Sequence, residues 1–330
     1  MGQTFGRDLS MAIGVQTDAD APFKTPAPAD SYVAIPFYSH TLNRNQKLEQ
    51  DDVLGEGRGR NPGDSTDGLV DHGGDLVVPF DLGNAGLWLR GLLGEPATTN
   101  NAGDYTHIFK SGAASLPAHT IEIKHKDDDY AQHIGMMVDK LSVAMAREGG
   151  YRKLTASLKG RTETSPSPTA SAAGAIGAAL TASKLVAVRG ALKIDNVKVG
   201  EIISADAALA NNLEAYAELD DGFVAGYDLG TFGFTGSLTA RFLTRDMYER
   251  ANAGTAFALE LSWTLAANKS LAIRSGVTKL EKSAKPVSGP GGMQQQYNFV
   301  AQHDPNEVDK AMVVATLKNQ IASYAIEVEE

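Results

Sequence analysis

Gly73–Glu95, GGDLVVPFDLGNAGLWLRGLLGE, and Gly236–Trp263, GSLTARFLTRDMYERANAGTAFALELSW, repeat one order of elements 163 positions apart from glycine to glycine. In the first, Leu76, Val78, Phe80 and Leu82 alternate with other residues, which marks a strand with one buried face, and Leu89, Leu92 and Leu93 then follow at helical spacing. In the second, Phe234, Leu238, Ala240 and Phe242 alternate, with Phe232 just before them. TRDMYERANAG then reads as a short helix with Thr244 as N-cap and Gly254 just past its end. A strand running into a short helix is the unit in both places.

Working outward, the stretch after Glu95 reads as irregular until His119, Ile121 and Ile123 alternate. Leu141, Val143 and Met145 then face Leu154, Ala156 and Leu158 across the turn Glu148-Gly149-Gly150, a hairpin. Beyond the second helix, Phe257, Leu259, Leu261 and Trp263 form one strand, and Ile273, Ser275 and Val277 begin another. Ser288-Gly289-Pro290-Gly291-Gly292 leads to a third with Tyr297, Phe299 and Ala301. LNRNQKLE (Leu42–Glu49) and LANNLEA (Leu209–Ala215) echo one another weakly. The alternative to a duplication is one large sandwich whose strands alternate because half-buried strands do.

Between these halves, Arg161–Lys184 reads RTETSPSPTASAAGAIGAALTASK, a run of small and polar residues that supplies no large side chain to a core. The expected organisation is a first β domain with an N-terminal arm over 1–165, an Ala/Gly/Ser-rich linker over 166–184 and a second β domain over 185–330. The linker is also suited to add to a sheet edge as an extended arm. Composition agrees: 34 Gly and few aromatic residues in 330 suit short strands and many turns. The expected class is mainly β, sandwich or barrel, with short flanking helices.

The net charge of −10 is spread along the chain, which leaves no basic stripe for tight nucleic-acid binding. The absence of Cys excludes disulfides and thiolate metal sites. No signal-peptide pattern opens the sequence, and its most Ala/Gly-rich apolar stretch, Ala172–Ala182, is too short to span a bilayer.

Motifs for chemistry are absent or incomplete. Gly55-Glu56-Gly57-Arg58-Gly59-Arg60 lacks the strand, helix and Lys-Ser/Thr pair of a phosphate loop and reads as a polar loop. His125, Asp127, Asp128, Asp129 and His133 form the most metal-like cluster, but their spacing fits neither a Ca²⁺ loop nor a helical zinc motif. No nucleophile elbow is found, and Trp88, Trp263 and the methionines from Met136 to Met145 read as core packing. Catalytic, cofactor-binding and metal residues are therefore expected to number none, and no enzyme is expected.

The order of segments resembles the tail tube proteins of long-tailed bacteriophages and prophages. The resemblance is carried by MAIGVQTDADAPF (Met11–Phe23), YSHTLNRNQKLEQDDVLGEGRGR (Tyr38–Arg60) and the two stretches quoted first. It implies subunits that lend strands to a shared barrel and stack as rings around a channel through which genomic DNA passes transiently. Two tube domains per chain imply a trimer with pseudo-sixfold symmetry, and a single domain implies a hexamer. Implied partners are further copies, the tape measure protein, the tail terminator and distal tail proteins, with no membrane. Location in the virion tail after assembly in the host cytoplasm follows, and carboxylates facing the lumen are expected to repel phosphate. Competing roles are a terminator, sheath or decoration protein, or a ligand-binding β-sandwich.

Overall fold

Alternating apolar residues become strands wherever a second strand lies close enough to take the backbone groups. The computed structural model describes residues 5–16, 23–53, 57, 59–146, 149–165, 167–186, 190–200, 202–219, 222–242, 245–282, 292–307 and 310–324. In the first half, β1 (Ser10–Val15), β2 (Tyr32–Ala34), β3 (Ser39–His40), β4 (Asn43–Gln50) and β5 (Ser65–Pro79) precede helix α1 (Ala85–Leu93). After it come β6 (Ala97–Asn101), β7 (Asp104–Lys110), β8 (His119–Lys126), β9 (Asp129–Ala146), β10 (Lys153–Gly160) and β11 (Thr162–Glu163).

In the second half, β12 (Gly190–Ile194), β13 (Val197–Lys198), β14 (Ile202–Ala210), β15 (Glu214–Ala217), β16 (Val224–Asp228) and β17 (Gly233–Arg241) precede α2 (Asp246–Ala253). β18 (Phe257–Ala266), β19 (Lys269–Leu280), β20 (Gln294–Gln302) and β21 (Val314–Asn319) complete it. The fold is mainly β, and among the described residues no closed barrel forms.

Pairing follows one order in both halves. In the first, the strands run β1-β8-β9-β10-β5-β4, all antiparallel. In the second, they run β12-β18-β19-β20-β17-β14, again antiparallel. The helix stands at the same place in each, after β5 and after β17. Among the described residues, two strand pairings join the halves: β9 with β14, from Ala146↔Ser204 to Lys140↔Ala210, and β7 with β21.

One apolar core crosses the junction. Phe80 of the first half meets Trp263 of the second edge to face, with centroids 4.9 Å apart, and both belong to a single buried cluster. α1 is buried all round, consistent with its run of Leu and Trp, whereas α2 buries only Met247 and Ala251. The Asp81 carboxylate accepts the N–H groups of Gly83 and Asn84 at 2.8 Å, which satisfies donors at the entry to α1. Gly254 ends α2 in the left-handed region (φ 64°), as its sequence position predicts. The N-cap falls on Arg245, without a side-chain cap bond, and Thr244 lies outside the described residues.

The stretch read as irregular contains the β6–β7 hairpin, closed by Ala102 and Gly103 at positive φ. The segment of small residues is likewise no free tether. It lies along the first half as a strap: Gly177 bonds the free edge of β2 on either side of Val33, accepting from the Ala34 N–H at 3.1 Å and donating to the Tyr32 carbonyl at 2.7 Å. Ala173 is fully buried against Ala12, Ala27 and Tyr32, a fit that only a small side chain allows.

The strap is anchored by the buried carboxylate of Glu122, which accepts from Ala172 N–H at 2.9 Å, from Gln132 Nε2 at 3.1 Å and from the Ser171 hydroxyl. Glu122→Ala leaves three donors without their acceptor, at about 1–3 kcal/mol for an unmet buried group. We expect the variant to melt earlier and elastase to cut first within the strap. Unchanged melting and cleavage rates are the result that contradicts this anchoring.

Candidate assembly and channel surface

β9 and β14 fuse the inner strands of both halves into one sheet, β4-β5-β10-β9-β14-β17-β20-β19. Its two faces differ because side chains alternate. Leu76, Val78, Leu141, Val143, Leu154, Ala156, Leu209, Phe234, Leu238, Tyr297 and Phe299 point into the core. On the other face a continuous row crosses the sheet in register: Ser39, Val77, Thr155, Ser142, Ala208, Thr235, Val300 and Lys279. Rows beside it carry Asp75, Ser157 and Lys140, and Ala144, Asp206, Ser237 and Asn298. Small, hydroxyl, amide and charged side chains make up most of this surface, with Val77 and Val300 among them and a shallow depression beside Ser142, Thr155 and Asp206.

Charges on this face have both signs. Asp71, Asp75 and Asp206 stand with Lys140, Lys153, Arg241 and Lys279, and Ser157 Oγ donates to Asp75 Oδ1 at 2.6 Å. Gly236 is fixed at the centre of the sheet, where an added Cβ sits 2.0 Å from the Asp206 carbonyl and 2.7 Å from the Phe299 ring. Only glycine lets β14 and Phe299 approach this closely.

The matching strands β4 and β14 are placed unequally. β14 is paired on both sides, by β17 and β9. β4, which holds the matching place in the first half, pairs with β5 and takes no second strand among the described residues. Its solvent-facing side chains include Lys47 and Glu49, the charged residues that keep a bare edge from indiscriminate pairing.

A scan against protein-family models matches the description "Phage tail tube protein" over residues 6–301. The chain belongs to the phage tail tube protein family. Membership makes it a viral structural protein of the virion tail, one that self-assembles into a tube with other tail proteins. A search of curated proteins finds no match.

Of the residues singled out for chemistry in this tail tube fold, His125 and His133 belong to one histidine cluster and the others are dispersed. Asp127 and Asp128, at the β8–β9 turn, pair with Lys124 (2.8 Å) and Lys126 (2.9 Å), while Asp129 opens β9. His133 is buried on β9, and among the described residues no group of three or more ligands is arranged to hold a metal. Gly55, Glu56 and Arg58 lie outside the described residues, and Gly57 and Gly59 have positive φ. Trp88, Trp263, Met136, Met137 and Met145 are buried. Among the described residues, no helix is long and apolar enough to cross a membrane.

A group that sequence reading missed is the histidine cluster inside the first half. His72 Nδ1 lies 2.6 Å from the Asn43 carbonyl, which only accepts, so Nδ1 carries the proton and the neutral ring offers Nε2 as acceptor. His133 Nδ1 donates to that nitrogen at 3.3 Å, and the buried His133 Nε2 has no partner among the described residues. His40 and His125 stand nearby, 6.0 Å apart. Burial lowers His72 to about 4; burial, then the positive charge of His72, His40 and His125, lowers His133 to about 3. The four residues come from β3, β5, β8 and β9, so no local spacing signals them.

Proposed function

We propose that three copies of this chain close into a ring with pseudo-sixfold symmetry, and that rings stack into a tail tube through which DNA passes during ejection. The observation that carries the reading is the inner sheet. Its two halves share one pairing order and join edge to edge through β9 and β14, while β4 keeps an open edge in the place equivalent to that of β14. On this reading the division into 1–165, 166–184 and 185–330 reflects a duplicated tube domain, with the strap binding the repeat units into one body.

A neighbouring copy completes the β4 edge as β9 completes β14, and a closed ring removes every free edge. Three copies of an eight-stranded sheet give about 24 strands roughly 4.8 Å apart. With a tilt of up to about 40°, the backbone ring is roughly 37–48 Å across, wide enough for duplex DNA. The polar face then lines the channel, and its small hydroxyl and amide side chains, with charges of both signs, give phosphates no basic track to bind. The subunit works without catalysis and meets the tape measure, terminator and distal tail proteins after synthesis in the host cytoplasm.

Electron microscopy of the purified protein at rising concentration, with mass photometry of the smallest stable ring, tests this. Hollow rings of three chains are expected. Rings of six chains overturn the trimer, and a monomer that never polymerises overturns the tube.

A further inference from the structure

The two halves correspond residue by residue around the open edge of β4. Ile121↔His133 and His119↔Met136 enclose an extra residue on β9, as Leu259↔Ser275 and Phe257↔Thr278 do on β19. Beyond that bulge, Val138 faces Leu158 and Leu280 faces Phe299. Val138-Asp139-Lys140 therefore corresponds to Leu280-Glu281-Lys282, and eleven residues after Val138 and after Leu280 the sequence carries Gly-Gly.

β4 and β14 match as closely. Gly74, opposite Leu158, and Gly236, opposite Phe299, each lie against a carbonyl of the next segment: an added Cβ meets the Thr41 oxygen at 2.5 Å and the Asp206 oxygen at 2.0 Å. Asn43↔Gly73 and Ala208↔Thr235 continue the same register, which puts Asn45 at the position of Ala210 and Gln46 at that of Asn211.

Within the chain these positions build the junction. Asn211 is buried there: its N–H donates to the Asp139 carbonyl at 2.7 Å, its side-chain amide to the Val138 carbonyl at 3.0 Å, and Ala210 stands opposite Lys140. The corresponding groups of β4 and β19 face outward. Val70, opposite Gln46, gives its N–H to the Gly222 carbonyl at 3.1 Å, so the two residues form a pair whose backbone groups point apart, and Gln46 N–H leaves the sheet at its edge. Glu281 N–H bonds the Asn298 carbonyl on β20 at 2.9 Å, so the Leu280 carbonyl of the same trans peptide points the opposite way. On that side the first residue of β18, Phe257, pairs with Thr278, and among the described residues no strand continues beyond it.

We propose that β4 of one copy pairs with the end of β19 of a second copy in the register of the β14–β9 junction, with Gln46 N–H toward the Glu281 carbonyl and Asn45 opposite Lys282. This rests on the ring reading above. A second copy is the occupant because each surface repeats one that the chain fills with its own other half. β4 and β19 lie at opposite ends of the eight-stranded sheet, about 34 Å apart at roughly 4.8 Å per strand, so one chain does not make the contact with itself.

The sequence contains no cysteine, so introduced thiols report without background. Opposed residues of an antiparallel pair that lie between the backbone bonds have Cα atoms about 4.5 Å apart, within disulfide reach. N45C and K282C chains are prepared separately, mixed, assembled and oxidised. A disulfide-linked pair of chains is expected in the mixture and absent when N45C or K282C is assembled alone. Tubes that form in the mixture without the cross-link overturn this register and leave the tube standing; failure of the unsubstituted chain to form rings overturns both. A second measurement uses proline, which an edge strand accepts where the N–H faces outward. Gln46→Pro should raise the concentration needed for rings by about tenfold or more while the dilute subunit melts as before. Asn211→Pro, which removes the N–H already used within the chain, should lower the melting temperature instead. A folded Gln46→Pro subunit that assembles at the original concentration overturns the proposal.

Discussion

Trp263→Ala is expected to destabilise the subunit by about 3–5 kcal/mol, the range for removing a large aromatic side chain from a packed core. Trp263 is fully buried, and its ring meets Phe80 from the other half at 84°. Below it, Gly190 leaves room that an added Cβ would fill at 2.5 Å from Met145. The cavity therefore opens where β5, β9, β12 and β18 converge, and strands held from both sides close it poorly. Since Trp263 Nε1 has no partner among the described residues, Trp263→Phe keeps most of the packing without losing a hydrogen bond and should cost less than half as much. Urea unfolding followed by circular dichroism measures both variants. Equal midpoints for Ala and the original residue would show that the halves do not depend on this contact.

Acid should unfold the subunit through its first half. An unfolded histidine titrates near 6.5, whereas burial holds His72 near 4 and His133 near 3. The folded chain keeps both rings neutral, so the unfolded chain binds more protons as pH falls below about 6.5. Stability is complete above that value and drains away down to the folded pKa of each ring. At roughly 1.4 kcal/mol per pH unit per histidine, the loss by pH 4 amounts to several kcal/mol. The urea midpoint of the original chain should fall steeply between pH 6.5 and 4. A His72→Asn/His133→Gln variant, although less stable at neutral pH, should show a flatter slope, and an unaltered slope would assign acid unfolding to other groups.

Much of the fold was legible where one strand face is buried and the other wet. The alternation at Leu154, Ala156 and Leu158, and at Tyr297, Phe299 and Ala301, maps directly onto β10 and β20. Gly254 announced the end of α2 because a left-handed residue was needed there. In β8 the alternation of His119, Ile121 and Ile123 marks the strand but not its surroundings, since Thr120 and Glu122 between them are buried as well and Glu122 holds the strap. The strap itself looked like a tether because it has no large side chains, yet small residues are what allow it to lie flush against Tyr32. The polar inner face could not be assembled from sequence: its rows join residues as distant as Ser142 and Ala208, and partner choice across an antiparallel sheet leaves no local signal.

The pairing of β7 with β21 sets a condition on synthesis. β7 needs Val314–Asn319 along its length, and His107 bonds the carbonyl of Ile321, 214 positions away. Contacts at such separation form late, after their loops have closed. A chain from which Val314–Asn319 has not yet emerged therefore carries β7 with one edge unpaired, backed by β6 and α1, and the tie that this strand makes between the halves forms late in synthesis.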